Sequence, residues 1–331
     1  MAILVTGATG FLGGALVRAL RGRGDPVRAL VRSGSSGEAR ADLEGLGAEL
    51  AIGDVLEPDS LARAMKGVTA IIHGAGKLGR AGAIEREYLR VHVDGTRNVL
   101  EAARHGGVRR VMHLSSPGIL GPIPRSAPDA DESAPYRPTN VYERAKAAAE
   151  RAVHDFEAEH GAVAVVVRPE FVYGPGDRHV LRLFQSIAKG RFFYIGPGDA
   201  VCHPTFVDDA VAGMIAAFDA AEVGRTYHLA GPRPVTIREL AESIAAALGV
   251  TPPRLHVPEV VVRWGIAAAR PFAKAAQLGL PIDESGVDFF VLDRHFSWQR
   301  AKNELGFVPQ IDVADGTSRA VAWYRARRLL P

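Results

Sequence analysis

A glycine-rich turn directly after the first apolar run constrains this chain more than any other feature. Residues 2–5 are all apolar, and Gly7, Gly10 and Gly13 follow at regular spacing before a helical pattern over residues 11–21. Glycine permits a tight turn and a close approach of a ligand to the backbone, and the free N–H groups that open a helix attract anions. The pattern predicts a loop that binds the pyrophosphate of a dinucleotide, with these contacts: Gly7, Thr9, Gly10, Phe11, Leu12 and Gly13.

Short β-rich runs and longer helical patterns alternate through the first half of the chain. The strand-like runs cover residues 2–5, 27–31, 49–52, 70–73, 110–114 and 163–167. Helical periodicity covers residues 11–21, 84–105 and 141–160. This alternation predicts an α/β fold, a Rossmann-type doubly wound parallel sheet with helices on both faces and its ligand at the carboxyl ends of the strands.

The rhythm changes near residue 175. Turn clusters occupy residues 175–177 and 196–199, and helical patterns follow over 208–221 and 236–248. We therefore expect two domains. A nucleotide-binding domain spans 1–175, with a strand near 226–230 that returns to the main sheet. A smaller, interleaved α+β substrate-binding domain spans 176–331.

The composition excludes several classes of site. With 40 basic and 37 acidic residues among 331, the charges are interspersed, which argues against a nucleic-acid partner. Cys202 is the single cysteine, and His73 has no second ligand at metal-binding spacing, so we expect no metal and no internal disulfide. No run reaches the roughly 18 apolar residues of a transmembrane helix, and no signal peptide is recognisable at the start. These features predict a cytoplasmic protein that acts on a small molecule.

The turns after the second, third and fourth strands bear on the choice of dinucleotide. Arg32 ends the second strand without a neighbouring acid, so it could bind a 2′-phosphate, which favours NADP(H) over NAD(H). A plain surface arginine is the alternative. Asp54 could accept a hydrogen bond from the adenine, next to Val55, or it could be a turn residue. Ala75 and Gly76 are small enough to let the ribose and phosphates pass closely.

Tyr142 and Lys146 stand one helical turn apart. A phenol has a pKa near 10, and a neighbouring ammonium stabilises the phenolate and lowers that pKa. The pair predicts proton transfer to or from a substrate oxygen, with Lys146 also bonding the cofactor ribose, although an ordinary surface pair has the same spacing. A serine at the end of the fifth strand could polarise the substrate carbonyl. The residues alone do not separate Ser115 from Ser116.

Together these motifs resemble the extended short-chain dehydrogenase/reductase family over essentially the whole chain. The matching stretches are residues 7–13, 53–55, 73–76, 95–100, 115–116, 142–146, 168–169, 172–176, 206–209 and 301–309. The resemblance implies that Ser116 is the catalytic serine beside Tyr142 and Lys146. It also implies that Pro169 and Val172 line the nicotinamide pocket, and that a homodimer forms through the helices near 84–105 and 140–160.

Within that family the chain looks more like one branch than the others. Nucleotide-sugar epimerases and dehydratases usually carry an asparagine shortly after the sixth strand, where this chain reads Glu170 and Phe171. The Arg168-Pro169 pair at the end of that strand resembles the branch of 3β-hydroxysteroid dehydrogenases, dihydroflavonol reductases and β-keto acid reductases. It implies hydride transfer between nicotinamide and a ketone or secondary alcohol on an apolar substrate. An NAD-dependent nucleotide-sugar epimerase or dehydratase is the alternative, and a dinucleotide sensor without catalysis is a third reading.

Two further features depart from the family pattern or extend it. His92 stands where the family often has an asparagine, which indicates a different hydrogen-bond network at that corner. The segment 255–280 is rich in apolar residues with interspersed basic ones. A helix there could cap an apolar substrate, make a peripheral contact with a membrane surface, or simply pack on the core.

Overall fold

A seven-stranded parallel sheet forms the centre of the molecule. The computed structural model describes residues 2–78, 84–161, 163–220, 222–275 and 284–331. The strands of the central sheet are β1 Ala2–Thr6, β2 Val27–Val31, β3 Glu49–Ile52, β4 Val68–His73, β5 Val111–Leu114, β6 Ala164–Pro169 and β11 Thr226–Leu229. They stand in the order β11-β6-β5-β4-β1-β2-β3, and each pairing is parallel. The predicted doubly wound α/β fold is confirmed, and the order reverses between β1 and β4, where such sheets bind ligands.

Helices cover both faces of this sheet. Their bounds are α1 Phe11–Gly22, α2 Gly37–Gly45, α3 Pro58–Ala64, α4 Glu85–Leu89, α5 Gly95–His105, α6 Val141–His160, α7 Leu181–Ala188, α8 Val207–Ala220, α9 Ile237–Leu248, α10 Glu259–Ala275, α11 Glu284–Val291, α12 Gln299–Leu305 and α13 Val313–Ala326. On one face, Leu16 of α1 and Ala210 of α8 belong to one buried cluster. On the other, Leu61 of α3, Val99 of α5 and Val153 of α6 belong to a second. Successive strand residues point to opposite faces, so each strand contributes to both clusters.

Within the described residues, three two-stranded sheets stand outside the central one. Their strands are β7 Val172–Tyr173 with β10 Thr205–Phe206, β9 Val201–Cys202 with β12 Val235–Thr236, and β8 Tyr194–Ile195 with β13 His256–Val257. Most of these residues follow position 175. They attach the second half of the chain beyond the carboxyl end of β6.

The helical region over residues 84–105 contains an irregular turn. Between α4 and α5 the chain forms a π-helical turn, Arg90–Asp94, without leaving the helix direction. One extra residue per turn rotates the side chains relative to a regular α-helix, and such turns often occur at functional sites. The turn carries His92, the residue that departs from the family pattern.

The loop between β5 and α6 is held by a hydrogen bond within the loop and by contacts with the segment after α11. The N–H of Arg137 donates to the carbonyl oxygen of Ile119 at 2.9 Å, and the N–H of Ile123 donates to that of Asp293 at 2.9 Å. Ala130 forms a parallel bridge with Phe296. The segment after α11 is thereby brought against the start of α6.

Helix α10 has one packed side and one exposed apolar side. Ile266 is buried and clusters with Ile195 and Val287. Trp264 is 75% exposed, and Val260 is 59% exposed. The end of the predicted apolar segment, residues 276–280, lies outside the described residues. Among the helices that the structure describes, none is long and apolar enough to cross a membrane.

Candidate active site

The glycine loop at the end of β1 is shaped so that side chains could not replace its glycines. Gly7 has a φ of +74°, and a Cβ there would lie 2.6 Å from the carbonyl carbon of Gly74. A Cβ on Gly13 would lie 2.2 Å from the Gly7 oxygen. Gly10 is the N-cap of α1 and has no side chain to cap the helix, so the first-turn N–H groups face the cleft. This cradle, with Thr9 exposed at its tip and Phe11 and Leu12 opening the helix, fits a pyrophosphate.

Two arginines stand at the carboxyl end of β2. Arg32 is exposed, and in the described part of the chain its guanidinium has no hydrogen-bond partner. Arg40 of α2 donates from Nη2 to the carbonyl oxygen of Arg32 at 2.8 Å, and also to that of Ser33. Sequence reasoning missed Arg40, because its position beside Arg32 depends on how α2 folds back over the turn. Arg40 therefore lies against the backbone of the turn that carries Arg32.

Asp54 and Val55 form the turn after β3. One oxygen of the Asp54 carboxylate accepts a hydrogen bond from the N–H of Leu56 at 3.0 Å, the geometry of an Asx turn. Val55 is buried, and its carbonyl oxygen accepts a hydrogen bond from Asn98 at 2.9 Å. The turn role of Asp54 is thus present, and its second carboxylate oxygen is the group that could meet an adenine.

Ser116, Tyr142 and Lys146 come together at the carboxyl end of β5. The hydroxyl of Ser116 lies near enough to the phenol of Tyr142 to act on its pKa. Lys146 is buried one turn along α6, and its Nζ donates to the carbonyl oxygen of Leu114 at 2.6 Å. Asn140 caps α6 by accepting a hydrogen bond from the N–H of Glu143 at 2.9 Å, which fixes where the helix begins. The structure thus brings Ser116, and not the buried Ser115, to the phenol.

The pKa of Tyr142 is shifted in the direction opposite to the one expected from Lys146. Burial raises the pKa of Tyr142 above its usual value of 10, the charges of Glu170 and Glu143 add to the rise, and the Ser116 hydrogen bond works against it. Burial also lowers the pKa of Lys146 to about 8, against the attraction of Glu150. The expectation of a lowered phenol pKa is therefore wrong for the chain by itself, because burial is the largest influence on that pKa.

Comparison with known proteins agrees with this geometry. The model of the NAD dependent epimerase/dehydratase family matches residues 3–230. The chain is 34% identical to sterol demethylase protein B of Methylococcus capsulatus, covering 100% of both chains. It is 31% identical to 2-alkyl-3-oxoalkanoate reductase of Stenotrophomonas maltophilia, covering 97% of this chain and 99% of the relative. A crystal structure of gox2253 superposes with a TM-score of 0.85 at 29% identity, over 100% of this chain and 99% of that one.

The chain belongs to the NAD dependent epimerase/dehydratase family. It is an enzyme of the extended short-chain dehydrogenase/reductase type, as its motifs predict. The nicotinamide-binding character of its Rossmann fold follows from this membership.

His92 is built into the active site of this dehydrogenase/reductase. Its ring lies edge-on to Tyr142 at 5.9 Å and stacks on Tyr88 at 6.1 Å between ring centroids. Its Nε2 lies 3.1 Å from the backbone nitrogen of Lys77 and 3.0 Å from its oxygen, so either tautomer bonds this backbone. Burial lowers the pKa of His92 to about 3, which keeps the ring neutral. The imidazole fixes the turn after β4, and Gly76 is required there because a Cβ would lie 2.5 Å from the ring.

His73 has a structural role in the enzyme. Its Nδ1 lies 2.7 Å from the hydroxyl of Thr6, and its Nε2 lies 3.0 Å from that of Thr96. Thr96 in turn donates to the carbonyl oxygen of His92 at 2.5 Å. This chain of hydrogen bonds links the ends of β1 and β4 to the π-helical turn. Over the ranges described here, no cluster of ligands could hold a metal ion.

A buried ion pair lies behind Lys146. Glu150, one further turn along α6, is paired with Arg168 of β6 at 2.5 Å, and both side chains are almost fully buried. Tyr136 donates to Glu150 at 2.7 Å, and a nitrogen of His228 lies 3.0 Å from Arg168. The arginine that marks the sequence motif at the end of β6 thus anchors this strand to α6.

The backbone turns sharply after β6. Pro169 ends the strand, and Val172 begins β7 directly after a turn of two residues. Phe171 has a φ of 27°, an unfavourable backbone conformation for a residue other than glycine. Such a conformation persists only where surrounding contacts hold it, and it often marks a functional site.

A cluster of charges lies near Tyr142, and sequence reasoning did not predict it. Arg294, from the segment after α11, forms an ion pair with Glu143 at 2.9 Å. Thr139 fixes Glu143 through its N–H at 2.7 Å and its hydroxyl at 2.8 Å. Glu170 is also buried, the charges of Arg294 and Glu143 act on it, and its own charge acts on Tyr142. The one available signal was an acidic residue within an otherwise apolar stretch after β6.

Proposed function

We propose that this enzyme is an NADP(H)-dependent oxidoreductase that interconverts a ketone and a secondary alcohol on an apolar substrate. The observation that carries the proposal is the convergence of the Ser116 hydroxyl and the Tyr142 phenol, with the Lys146 ammonium one helical turn along α6. When bound, the nicotinamide cofactor would supply or accept the hydride. The protein would then have to manage one proton and one oxygen.

Each of the three residues has a part in that task. Ser116 donates a hydrogen bond to the substrate oxygen as negative charge develops there. Tyr142, whose raised pKa keeps it protonated at neutral pH, delivers the proton to that oxygen. Lys146 is positively charged below its pKa of about 8 and stabilises the phenolate that remains. In the reverse direction Tyr142 must lose its proton first, so we expect oxidation of the alcohol to accelerate as the pH rises.

The cofactor would lie along the carboxyl edge of the sheet. Arg32 and Arg40 support NADP(H), because two guanidinium groups at the end of β2 suit a phosphate better than a hydroxyl. We assign the remaining contacts to the glycine loop, the turns after β3 and β4, the active-site pair and the pocket after β6: Gly7, Thr9, Gly10, Phe11, Leu12, Gly13, Asp54, Val55, Ala75, Gly76, Tyr142, Lys146, Pro169 and Val172.

An aromatic cluster supports an apolar substrate. Phe171 and Phe289 lie 4.8 Å apart between ring centroids, Phe289 and Phe290 lie 5.1 Å apart, and Phe290 and Phe192 lie 5.8 Å apart. All four rings are half-buried, and they continue from the turn after β6 into the second half of the chain. We propose that residues 176–331 supply most of the substrate contacts. A relative named for reducing 2-alkyl-3-oxoalkanoates supports a ketone with an alkyl chain.

Titration of the purified protein with NADPH and NADH tests the cofactor assignment. We expect tight binding of NADPH, weaker binding of NADH and no nucleotide retained from expression. Retained NAD with indifference to NADPH would contradict the proposal and favour a nucleotide-sugar epimerase or dehydratase.

The variant Tyr142→Phe tests the chemistry. It removes the transferable proton but keeps the ring, so turnover should fall about 100- to 10,000-fold with NADPH affinity nearly unchanged. Turnover close to that of the wild type would refute the mechanism. Tyr324→Phe is the matched control, because that phenol bonds the backbone of Asp177 and not the site.

We extend the proposal to a cytoplasmic homodimer that pairs through the helical regions near 84–105 and 140–160, with no nucleic-acid partner. Sedimentation equilibrium would measure the state of association. A monomer at micromolar concentration would contradict the dimer without affecting the proposed chemistry.

A further inference from the structure

Glu170 is a buried carboxyl that the proposed chemistry does not use. It is the first residue after β6, and its N–H donates to the carbonyl oxygen of Leu229 at 2.9 Å, which ties the turn to β11. Its exposure is 7%. The unfavourable φ of Phe171 comes immediately after it. The fold therefore holds this carboxyl in place at the same edge of the sheet as the catalytic tyrosine.

The groups around Glu170 leave its hydrogen-bonding capacity largely unused. Those that face it are Tyr142 and Glu143 of α6, Arg294 after α11, and Cys202 of β9. Arg294 is already paired with Glu143 at 2.9 Å. In the described ranges, no side chain donates a hydrogen bond to the Glu170 carboxyl, and the N–H of its chain neighbour Phe171 is the one backbone group that acts on it. A carboxyl group offers about four sites for hydrogen bonds, so it can take a further partner.

We propose that Glu170 is a specificity-determining residue whose carboxyl donates a hydrogen bond to a second oxygen of the substrate, beside the carbonyl that Tyr142 protonates. This inference rests on the proposed function. It specifies the substrate class as ketones with a second oxygen function one or two carbons from the carbonyl carbon, such as 3-oxo esters, 3-oxo acids or hydroxyketones.

The protonation state of the carboxyl agrees with a donor role. Burial raises the pKa of Glu170 to about 8, Arg294 works against the rise and Glu143 adds to it. At neutral pH the carboxyl therefore retains the proton that it would donate. A bare ketone would leave this buried group without its partner, and sites of that kind reject the analogue that lacks the bonding oxygen.

Comparison of two uncharged substrates of equal length distinguishes the contribution of the second oxygen from that of the reacting oxygen. The methyl ester of a 3-oxo acid has both oxygens, whereas the plain ketone of the same chain length has only the reacting one. We expect wild-type kcat/KM to be at least about tenfold higher for the ester at pH 7, mostly through KM. The preference should decline as the pH rises through about 8, because Glu170 then loses its proton.

Two substitutions test the residue itself. Glu170→Gln retains an N–H donor of nearly the same shape, so the preference should persist and no longer depend on pH near 8. Glu170→Leu removes the donor and should bring the ratio of the two kcat/KM values close to one. Glu132→Gln is the matched control, since Glu132 is another buried carboxyl with raised pKa, bonded to the N–H of His228 instead.

The outcomes separate this inference from the proposed function. Two results would overturn the role of Glu170 without contradicting the proposed reductase function. One is equal use of both substrates by the wild type, and the other is an unchanged ratio of the two kcat/KM values in a folded Glu170→Leu variant. Failure of the wild type to reduce either substrate while it binds NADPH would overturn both. NADPH titration and thermal unfolding of each variant show whether it is folded.

Discussion

The ammonium of Lys146 donates a hydrogen bond to the main-chain carbonyl oxygen of Leu114 at 2.6 Å. Leu114 is the last residue of β5, and Ser116 follows it two positions later. The bond therefore joins the helix that carries the tyrosine to the strand that carries the serine. The relative position of the Ser116 and Tyr142 hydroxyls therefore depends on the buried Lys146 ammonium, although burial disfavours its charged form.

The variant Lys146→Met should remove both the charge and this link. We expect turnover to fall about 100-fold or more, because the phenolate loses its neighbouring positive charge. In the wild type, reduction should slow as the pH rises through about 8, where Lys146 loses its proton, and the variant should lose this dependence. Lys66→Met, at an exposed lysine, is the control. If the reduction rate of Lys146→Met declines with pH in the same way as that of the wild type, then another group causes the decline.

Breaking the ion pair between Glu150 and Arg168 should lower the free energy of unfolding substantially. Arg168→Leu leaves a buried carboxylate without its partner, so the free energy of unfolding should fall by about 3–5 kcal/mol. The double variant Glu150→Leu with Arg168→Leu removes both charges and should be more stable than Arg168→Leu alone. Urea denaturation measures all three proteins. A double variant less stable than Arg168→Leu would show that the two residues do not act as a pair.

Much of this architecture could be predicted from local sequence patterns. The alternation of strands and helices determines the parallel sheet, the glycine spacing determines the loop, and helical periodicity places Tyr142 and Lys146 on one face. The contribution of Arg294 could not be predicted, because it reaches Glu143 from a distant segment that only the folded loop between β5 and α6 brings near. The direction of the Tyr142 pKa shift was likewise beyond sequence, since it depends on burial.

His92 and Gly76 should behave as a coupled pair. In Gly76→Ala the added Cβ would lie 2.5 Å from the His92 ring, so we expect a loss of about 1–3 kcal/mol in the free energy of unfolding. His92→Asn loses the ring contacts but gives room to that Cβ. The double variant should therefore lose less stability than the sum of the two single losses. Strict additivity in urea denaturation would mean that the two side chains do not meet.

The stability of the enzyme should fall on acidification because of its buried histidines. Burial lowers the pKa of His113 well below its usual value of 6.5, and the charges of His73 and Lys146 add to the effect. Below pH 6.5 the unfolded chain takes up a proton at this residue and the folded chain does not, so stability falls as the pH falls. Each such histidine contributes about 1.4 kcal/mol per pH unit.

The variant His113→Leu isolates that contribution. The leucine cannot take up a proton, so the stability of this variant should decline less steeply than that of the wild type between about pH 6.5 and 5. The two slopes should differ by the contribution of one bound proton. Urea denaturation across this range gives the slopes. His105→Leu is the control, because His105 is exposed at the end of α5. Equal slopes for His113→Leu and the wild type would show that His113 takes up its proton in the folded state as well.

Arg32 and Arg40 should together set the preference for NADPH. Arg32→Ala removes a guanidinium without other partners in the described structure, and we expect NADPH to bind about 10- to 100-fold more weakly with little change for NADH. Arg40→Ala should have a smaller effect of the same sign, because Arg40 also holds the Arg32 backbone in place. Isothermal titration with each nucleotide measures both variants, with Arg18→Ala on α1 as the control. If Arg32→Ala weakens NADH and NADPH equally, then Arg32 does not bind the 2′-phosphate, because that group is the one chemical difference between the two nucleotides.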